Sequence, residues 1–455
     1  MSPVQRMQAR FSLPTVLVGV LAVVLANLPL WLAAVQDDMR RGIFSLDGII
    51  AVAVGFRSRR WGAFLLIGAW LLDLAVAKSI TYHFPSPALF VASAKFGGAL
   101  DLRSLLDPFD IAIFLALAGS FVALLRLQRQ KPPTRTLAAI FIIVGTLDVL
   151  NGSSAMSMKE FRSLDVNVAG SPALVMLSSV LHNPTEALPL ASIKGPNAVG
   201  SYLKVRDWMT THPDGSVFVV VVESLGLPVD PHQRAWLSSR MRPKGAQAVD
   251  EESVEFSGPT TYGELRTLCL LVGGYDRLKS ESATTCLPRL AADKGWKTSG
   301  YHGFTERMFD RAIWWPTIGV QNMYFLEQLK AAGATQRCGA AFAGICDAEL
   351  LRRAASSISP RSLVYVLTLN THLPLASTEV SADLAPLCQD APRSACELLS
   401  ATGRVLDEVR QVADEHPNSL VLVVGDHAPP FKNKAARQAF SPNRVPAWIV
   451  YPAVR

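Results

Sequence analysis

The sequence predicts two folds in one chain. An α-helical membrane domain with about five crossing helices comes first, followed by an α/β domain built on a central, mostly parallel sheet. Three observations predict this. Half of the 455 residues are hydrophobic and mean hydropathy is +0.26, high for a soluble chain, with the excess concentrated before Asn151. Beyond that point, β-branched runs at Val217–Val222, Leu363–Leu369 and Leu420–Val424 alternate with helix-like stretches, the pattern of parallel strands covered on both faces. All six cysteines (269, 286, 338, 346, 388 and 396) fall in the second part.

In the first part, Phe11–Val35 is long enough to cross a bilayer, which takes about 20 apolar residues. Ile43–Phe56 is short and holds Asp47; Trp61–Ala77, Pro108–Leu125 and Leu137–Leu150 follow. Lys78–Arg103 is mixed and is expected to lie outside the hydrocarbon. With five crossings, Arg6 and Arg10, the Arg57–Arg60 cluster, and Arg126, Arg129 and Lys131 share one side. Positive flanks mark the cytoplasm, so the N-terminus is expected inside and the C-terminal part exported. Arg40 and Arg41 depart from that pattern and are accompanied by Asp37 and Asp38. A cleaved signal peptide is not expected, because no small-residue cleavage site cleanly follows the first segment.

An even cysteine count confined to the exported part suits disulfides in an oxidising compartment. Six cysteines allow fifteen pairings; spacing favours Cys338–Cys346 and Cys388–Cys396, leaving Cys269–Cys286. The net charge of +7 is spread through loops, which fits inside-positive flanks and anionic lipid rather than nucleic acid.

The chain is expected to divide into a membrane domain (1–152), a connector (153–207) and a catalytic domain (208–455). In the connector, Ala173–Leu181 reads as a helix along the membrane surface, and Pro184, Pro189 and Pro196 interrupt regular structure. In the last region, helices are expected at Arg234–Met241, Thr261–Val272, Cys286–Lys294, Asn322–Ala332, Asp347–Ser356 and Glu397–Glu415. Further strands are expected at Thr298–Tyr301 and Val445–Tyr451.

Two of the apolar runs end in metal-ligand residue types. Val217–Val222 leads into Glu223-Ser224, and Leu420–Val424 into Gly425-Asp426-His427. Strand ends are where open α/β sheets build sites. Carboxylate and imidazole donors together suit zinc ahead of manganese. Singly, Glu223 reads more readily as an N-cap or solvated loop acid and the Asp426-His427 pair as structural or an Asx-turn; the coincidence of both in one domain favours ligands. Between them lies Gly258-Pro259-Thr260-Thr261. A threonine hydroxyl is too weakly acidic to attack unaided, and metal coordination is one route to its alkoxide. This loop also opens a helix, whose free N–H groups seat anions. Thr261 with Glu264 fits a capping box, which leaves Thr260 as the nucleophile. His372, His302 and Arg311 are candidate phosphate-binding residues, the histidines at strand ends and the arginine by bidentate contact; each also reads as structural. Glu264, Arg266 and His416 read as a cap, a helix-face charge and a helix end.

Together these residues resemble the alkaline phosphatase/sulfatase superfamily, and within it the membrane-anchored phosphoalcohol transferases: lipoteichoic acid synthase, periplasmic phosphoglycerol transferases and phosphoethanolamine transferases. The resemblance implies that Glu223, Thr260, Asp426 and His427 hold the metal and that Thr260 attacks. Thr371-His372-Leu373-Pro374 looks like the family's Ser-His-x-Pro segment, whose His contacts the substrate phosphate. Phe309-Asp310-Arg311 looks like its Trp-x-Arg element. The cysteines and Ile345–Leu351 resemble the phosphoethanolamine branch, but that branch has a further His beyond its Asp-His pair and Ala428–Phe440 contains none, so one metal is expected. Cys286-Leu287-Pro288-Arg289 departs from the Cys-x-Pro-x-Arg signal of arylsulfatases and lies away from Thr260.

The function so implied is transfer of phosphoethanolamine or phosphoglycerol from a phospholipid to a cell-envelope glycan through phosphothreonine. The setting is a bacterial inner membrane with a periplasmic catalytic domain, in the neighbourhood of polysaccharide synthesis or export machinery. Two rivals stand beside it: a phosphodiesterase or phosphatase with water as acceptor, and an inactive scaffold in a polysaccharide-export assembly.

Overall fold

The structure is a computed structural model that describes residues 13–36, 41–105, 108–150, 168–182, 190–193, 196–245, 247–256 and 258–453. Arg6, Arg10, Asp37, Asp38, Arg40, Pro184, Pro189 and part of the expected connector (153–167, 183–189 and 194–195) lie outside the described residues. The chain forms two compact units, one comprising residues 1–92 and 106–185, the other residues 93–105 and 186–455.

In the first unit all five apolar segments are helical: α1 (Leu13–Gln36), α2 (Leu46–Gly55), α3 (Arg59–Thr81), α4 (Pro108–Leu127) and α5 (Thr134–Leu150). Three of them, α1, α3 and α4, are long and apolar enough to cross a membrane. Helix α5, at 17 residues, sits at the lower limit for a crossing. Helix α2 has only ten residues because Ser45 caps it, its hydroxyl accepting from Gly48 N, and because Phe44–Ser45 pairs with Ala169–Gly170. The run after Ser171 is helical as expected, as α6 (Pro172–His182).

The second unit is a seven-stranded sheet between two helix layers. Helix α7 (Pro196–Thr211) precedes β1 (Ser216–Val222), α8 (Pro231–Arg240), β2 (Val249–Glu255), α9 (Thr260–Cys269), α10 (Leu287–Asp293), β3 (Lys297–His302) and β4 (Asn322–Tyr324). Then come α11 (Leu326–Ala331), α12 (Asp347–Ala355), β5 (Ser362–Leu367), α13 (Arg393–Glu415), β6 (Ser419–Gly425) and β7 (Arg444–Val450). The strand order is β2-β7-β6-β1-β5-β3-β4. Strands β6, β1, β5, β3 and β4 are mutually parallel, and β7 runs antiparallel to both β6 and β2.

The valine run of β1 shows why the sheet is covered twice. Phe218, Val220 and Val222 face a core shared with α8, α12 and α13. Val217, Val219 and Val221 face the other, with α7, α9 and α10. Successive strand residues point to opposite faces, so a continuous apolar run needs two covers.

The elements depart from the sequence pattern in three places. Helix α7 forms although Pro196 was expected to break regular structure; a proline in the first turn removes no needed hydrogen bond. Asn322–Tyr324 is a strand paired to β3, with Tyr324 stacked on Tyr301 at 4.5 Å, and the helix begins only at Leu326. Strand β2 carries the acidic sequence VDEESVE, which lacks the apolar content of a sheet interior because it is an edge. The three disulfides are Cys269–Cys286, Cys338–Cys346 and Cys388–Cys396, the pairing that spacing favours.

Candidate active site

Four neighbouring parallel strands, β6-β1-β5-β3, end at one edge of the sheet. Gly425 is in register with Val222, and Leu367 with both Val221 and His302. Residues one step past these ends are therefore side by side, and they are Asp426, Glu223 and Thr368. Their backbone is cross-tied: Ser224 N and His427 N both donate to Asp426 Oδ1 (2.8 and 2.6 Å). Glu223 N donates to Thr368 Oγ1 (3.0 Å), and Thr371 Oγ1 donates to the Glu223 carbonyl.

Helix α9 delivers the threonine. Its N-cap is Pro259 and has no side-chain cap bond, so Thr260 is its first helical residue. Gly263 allows the close approach, since a Cβ there would lie 2.8 Å from Asp426 Cα. Arg266, which the sequence placed on a helix face, is buried and donates to the carbonyls of Gly425 and Asp426, clasping α9 to the end of β6.

Thr260 Oγ1 donates to Glu223 Oε2 (3.0 Å) and lies 3.3 Å from His427 Nε2. His427 Nε2 is 3.4 Å from Glu223 Oε1 and 3.3 Å from Asp426 Oδ2. Its Nδ1 faces the Ala428 carbonyl at 2.9 Å, and a carbonyl only accepts, so the Nδ1 proton is fixed there and Nε2 is turned to the cluster. Among the described residues, one ligand atom each of Glu223, Asp426 and His427 lie within 4.8 Å of one another.

The electrostatics are those of a site that wants a cation. Burial pushes the Asp426 carboxyl up, and the Glu223 charge adds to this. For Glu223 burial also works upward, but His372 and then His427 outweigh it and hold the group well below the usual carboxylate range. Burial works against a charged His427, yet Asp426 and Glu223 raise it to about 9. Asp426 Oδ2 is buried without a hydrogen-bond donor. Two buried carboxylates and an oriented imidazole, with one oxygen unsatisfied, fit a divalent metal.

The remaining predicted residues separate. His372 is half-buried, its ring 3.7 Å from that of Phe342 and its Nδ1 on the Leu373 carbonyl at 2.7 Å; burial depresses its pKa and Glu223 opposes this. His302 ends β3 with Nδ1 on the Leu367 carbonyl (3.1 Å), and burial followed by the Arg311 charge lowers it to about 3. Arg311 is 2% exposed. Its Nε and Nη2 donate to Glu264 (3.1 and 2.9 Å) and its Nη1 to the Met308 carbonyl (3.1 Å). Glu264 is the residue that sequence reasoning misplaced. No capping box forms; the carboxylate is fully buried and also accepts from Trp315 Nε1 (3.2 Å) and Tyr365 OH (3.1 Å).

No family model matches the chain, and no curated protein matches it. Among solved structures it is similar, over 53% of its length, to the lipoteichoic acid synthase LtaP from Listeria monocytogenes, with 14% identity, a TM-score of 0.38 and 66% of that chain covered. It is likewise similar to the Streptococcus pyogenes phosphoglycerol transferase GacH in complex with sn-glycerol-1-phosphate (13% identity, 57% and 77% coverage, TM-score 0.36). A third is the C-terminal periplasmic domain of EcEptC from Escherichia coli in complex with Zn (12% identity, 53% and 73% coverage, TM-score 0.37). The chain thus spans just under two thirds of the lipoteichoic acid synthase, and each likeness takes in little more than half of this chain.

Proposed function

We propose that this chain transfers a phosphoalcohol headgroup, phosphoethanolamine or phosphoglycerol, from a phospholipid to a hydroxyl of a cell-envelope glycan, through a phosphothreonine at Thr260. The observation that carries this is the convergence on Thr260 Oγ1 of Glu223 Oε2 and His427 Nε2, at 3.0 and 3.3 Å, at the start of a helix. Glu223, Asp426 and His427 would hold one divalent cation, zinc ahead of manganese, which when bound lowers the threonine pKa and polarises the phosphoryl group.

The protein's own residues do the rest. Glu223 accepts the Thr260 hydroxyl hydrogen and so orients the oxygen's lone pairs. The first N–H groups of α9 stabilise phosphoryl oxygens, while Arg311, its guanidinium engaged by Glu264 and the Met308 carbonyl, fixes Glu264 and so positions α9. Thr260 Oγ1 forms a bond to phosphorus as the bond to the diacylglycerol oxygen breaks, and the proton lost by Thr260 passes to that oxygen, relayed through Nε2 of the neutral His372, whose Nδ1 is held by the Leu373 carbonyl. In the second step the acceptor hydroxyl forms the new P–O bond, the Thr260–phosphorus bond breaks, and the acceptor's proton returns to Thr260. His302, neutral near pH 7, serves as a hydrogen-bonding neighbour of the phosphate rather than as a cation.

Three disulfides within the catalytic unit support an exported site, and the apolar helices support a membrane anchor beside a lipid donor. The N-terminus is accordingly assigned to the cytoplasm and the catalytic unit to the periplasmic face of a bacterial inner membrane. Intact-mass measurement tests the reading. Incubating the full chain with phosphatidylethanolamine or phosphatidylglycerol, and zinc or manganese, should add one phosphoalcohol mass. Thr260→Ala should abolish the gain; an adduct persisting in that variant refutes the assignment.

A further inference from the structure

A cavity of about 550 Å³ opens in the catalytic unit between the disulfide loop 338–346, the loop 370–379 and helix α13. That volume falls within the range of small-molecule sites, roughly 300–1,000 Å³. None of the residues already assigned to the metal or the nucleophile lines it.

The same two loops border the cavity and the active site. Asn370 lines the cavity, and the next residue, Thr371, bonds the Glu223 carbonyl. Gly339 lines the cavity, while Phe342 of the same loop packs on His372 at 3.7 Å. The join is rigid, because Asp347 at the cavity wall accepts Leu369 N and Asn370 N (2.9 and 2.8 Å) and the Asn370 Oδ1 accepts Asp347 N (2.6 Å). The Cys338–Cys346 disulfide closes the other loop.

Its chemistry is selective. The Asn370 Nδ2 is buried with no hydrogen-bond partner, an uncommon deficit in a native protein. Four carboxylates line the cavity (Asp347, Glu379, Asp407 and Glu408) against one guanidinium, Arg404. Asp407 and Glu408 are ion-paired from outside by Arg240 and Arg352. Even with Arg240 and Arg352 counted, a phosphorylated or carboxylated ligand would meet four acids against three cations. A polyhydroxylated ligand would find acceptors for its O–H groups and, in Arg404, donors for its oxygens. We infer that this cavity is the acceptor subsite and that it takes an uncharged or amine-bearing sugar residue, not a phosphorylated one. The inference rests on the transferase reading for the word acceptor, and on the cavity alone for the ligand class.

Saturation-transfer NMR with the full chain in detergent and methyl β-D-glucopyranoside as probe tests the ligand class. Transfer is expected with wild type and lost with Ala376→Trp, which fills the cavity from an exposed loop position. Glu379→Gln, an exposed and isosteric change, should weaken binding about tenfold, the worth of one charge-assisted hydrogen bond. No transfer to wild type, or transfer undiminished in both variants, overturns the inference. Adduct kinetics test the acceptor role. In the wild type charged at Thr260, the glucoside and glucosamine should speed loss of the adduct, with glucose 6-phosphate at least about tenfold less effective. Ala376→Trp should charge normally but lose the sugar dependence; unchanged sugar dependence overturns the assignment. Failure of wild type to charge at all would sink the phosphothreonine reading, leaving the NMR result to decide the cavity.

Discussion

Glu264 is the residue whose environment most constrains the site. It lies one turn after Thr260 on α9, fully buried, and accepts from Arg311, Trp315 and Tyr365. Removing one member of a buried ion pair costs about 3–5 kcal/mol, because the partner's charge is left uncompensated. Glu264→Gln keeps the shape but leaves Arg311 unpaired and sets an amide N–H₂ among donors. The expected outcome is a loss of about 3 kcal/mol or more in the unfolding free energy of the catalytic unit, read by denaturant titration. Arg311→Met, which removes the other charge, should not restore it, since Glu264 then stays buried without its cation. A double variant, Glu264→Gln with Arg311→Met, should recover part of the loss; two additive losses would refute the coupling. The sequence could not reveal this. Thr261 and Glu264 have the spacing of a capping box, and the partners that turn Glu264 inward lie 47, 51 and 101 residues away. The clustering of Glu223, Asp426 and His427 was foreseeable because all three lie within three residues of the end of an apolar run, at Val222 or Val424, whose strand identity is itself legible.

The elements show the same division between local and distant information. Buried parallel strands announce themselves by continuous β-branched runs, and β1, β5 and β6 match their expected spans to within two residues at each end. Strand β2 did not, because only Val254 of its seven residues is buried and the edge is supplied by β7. A less visible element is the segment 93–105, which falls between apolar helices in sequence yet belongs to the second unit. Phe96 meets Phe309 at 5.2 Å, Lys95 meets Asp310 at 2.9 Å, and Asp101 N donates to the Ala341 carbonyl at 3.0 Å. Phe309 and Asp310 both have positive φ, 54° and 53°, a conformation that costs side-chain-bearing residues about 1–3 kcal/mol each. The segment therefore braces a strained turn immediately before Arg311. Magnitudes rank its contacts: an aromatic pair contributes about 0.5–1.5 kcal/mol beyond area burial, and an exposed ion pair about 0–1. Phe96→Ala should slow charging of Thr260 several-fold, whereas Lys95→Ala should change it less than twofold. Equal effects, or none from Phe96→Ala, would show that the brace does not reach the site.

At the scale of the whole molecule, the chain has separate hydrophobic cores in its two units, so its unfolding need not be two-state. The candidate metal ligands belong entirely to one of these units. A cation that binds only the folded site stabilises it by RT ln(1 + [L]/Kd), about 2.7 kcal/mol at a hundredfold excess over Kd. Zinc should accordingly raise the melting transition of the catalytic unit and leave the transition of the helical unit in place, with EDTA reversing the shift. His427→Ala removes a ligand that the Ala428 carbonyl has already oriented, and should abolish most of the zinc-dependent gain. Glu264→Gln gives the contrasting result, a lower starting stability with the zinc increment preserved, because Glu264 contacts Arg311, Trp315 and Tyr365 rather than the ligand cluster. Scanning calorimetry of the full chain in detergent resolves the two cases. A zinc shift that survives His427→Ala would place the cation elsewhere, and a shift of both transitions together would mean that the units unfold as one.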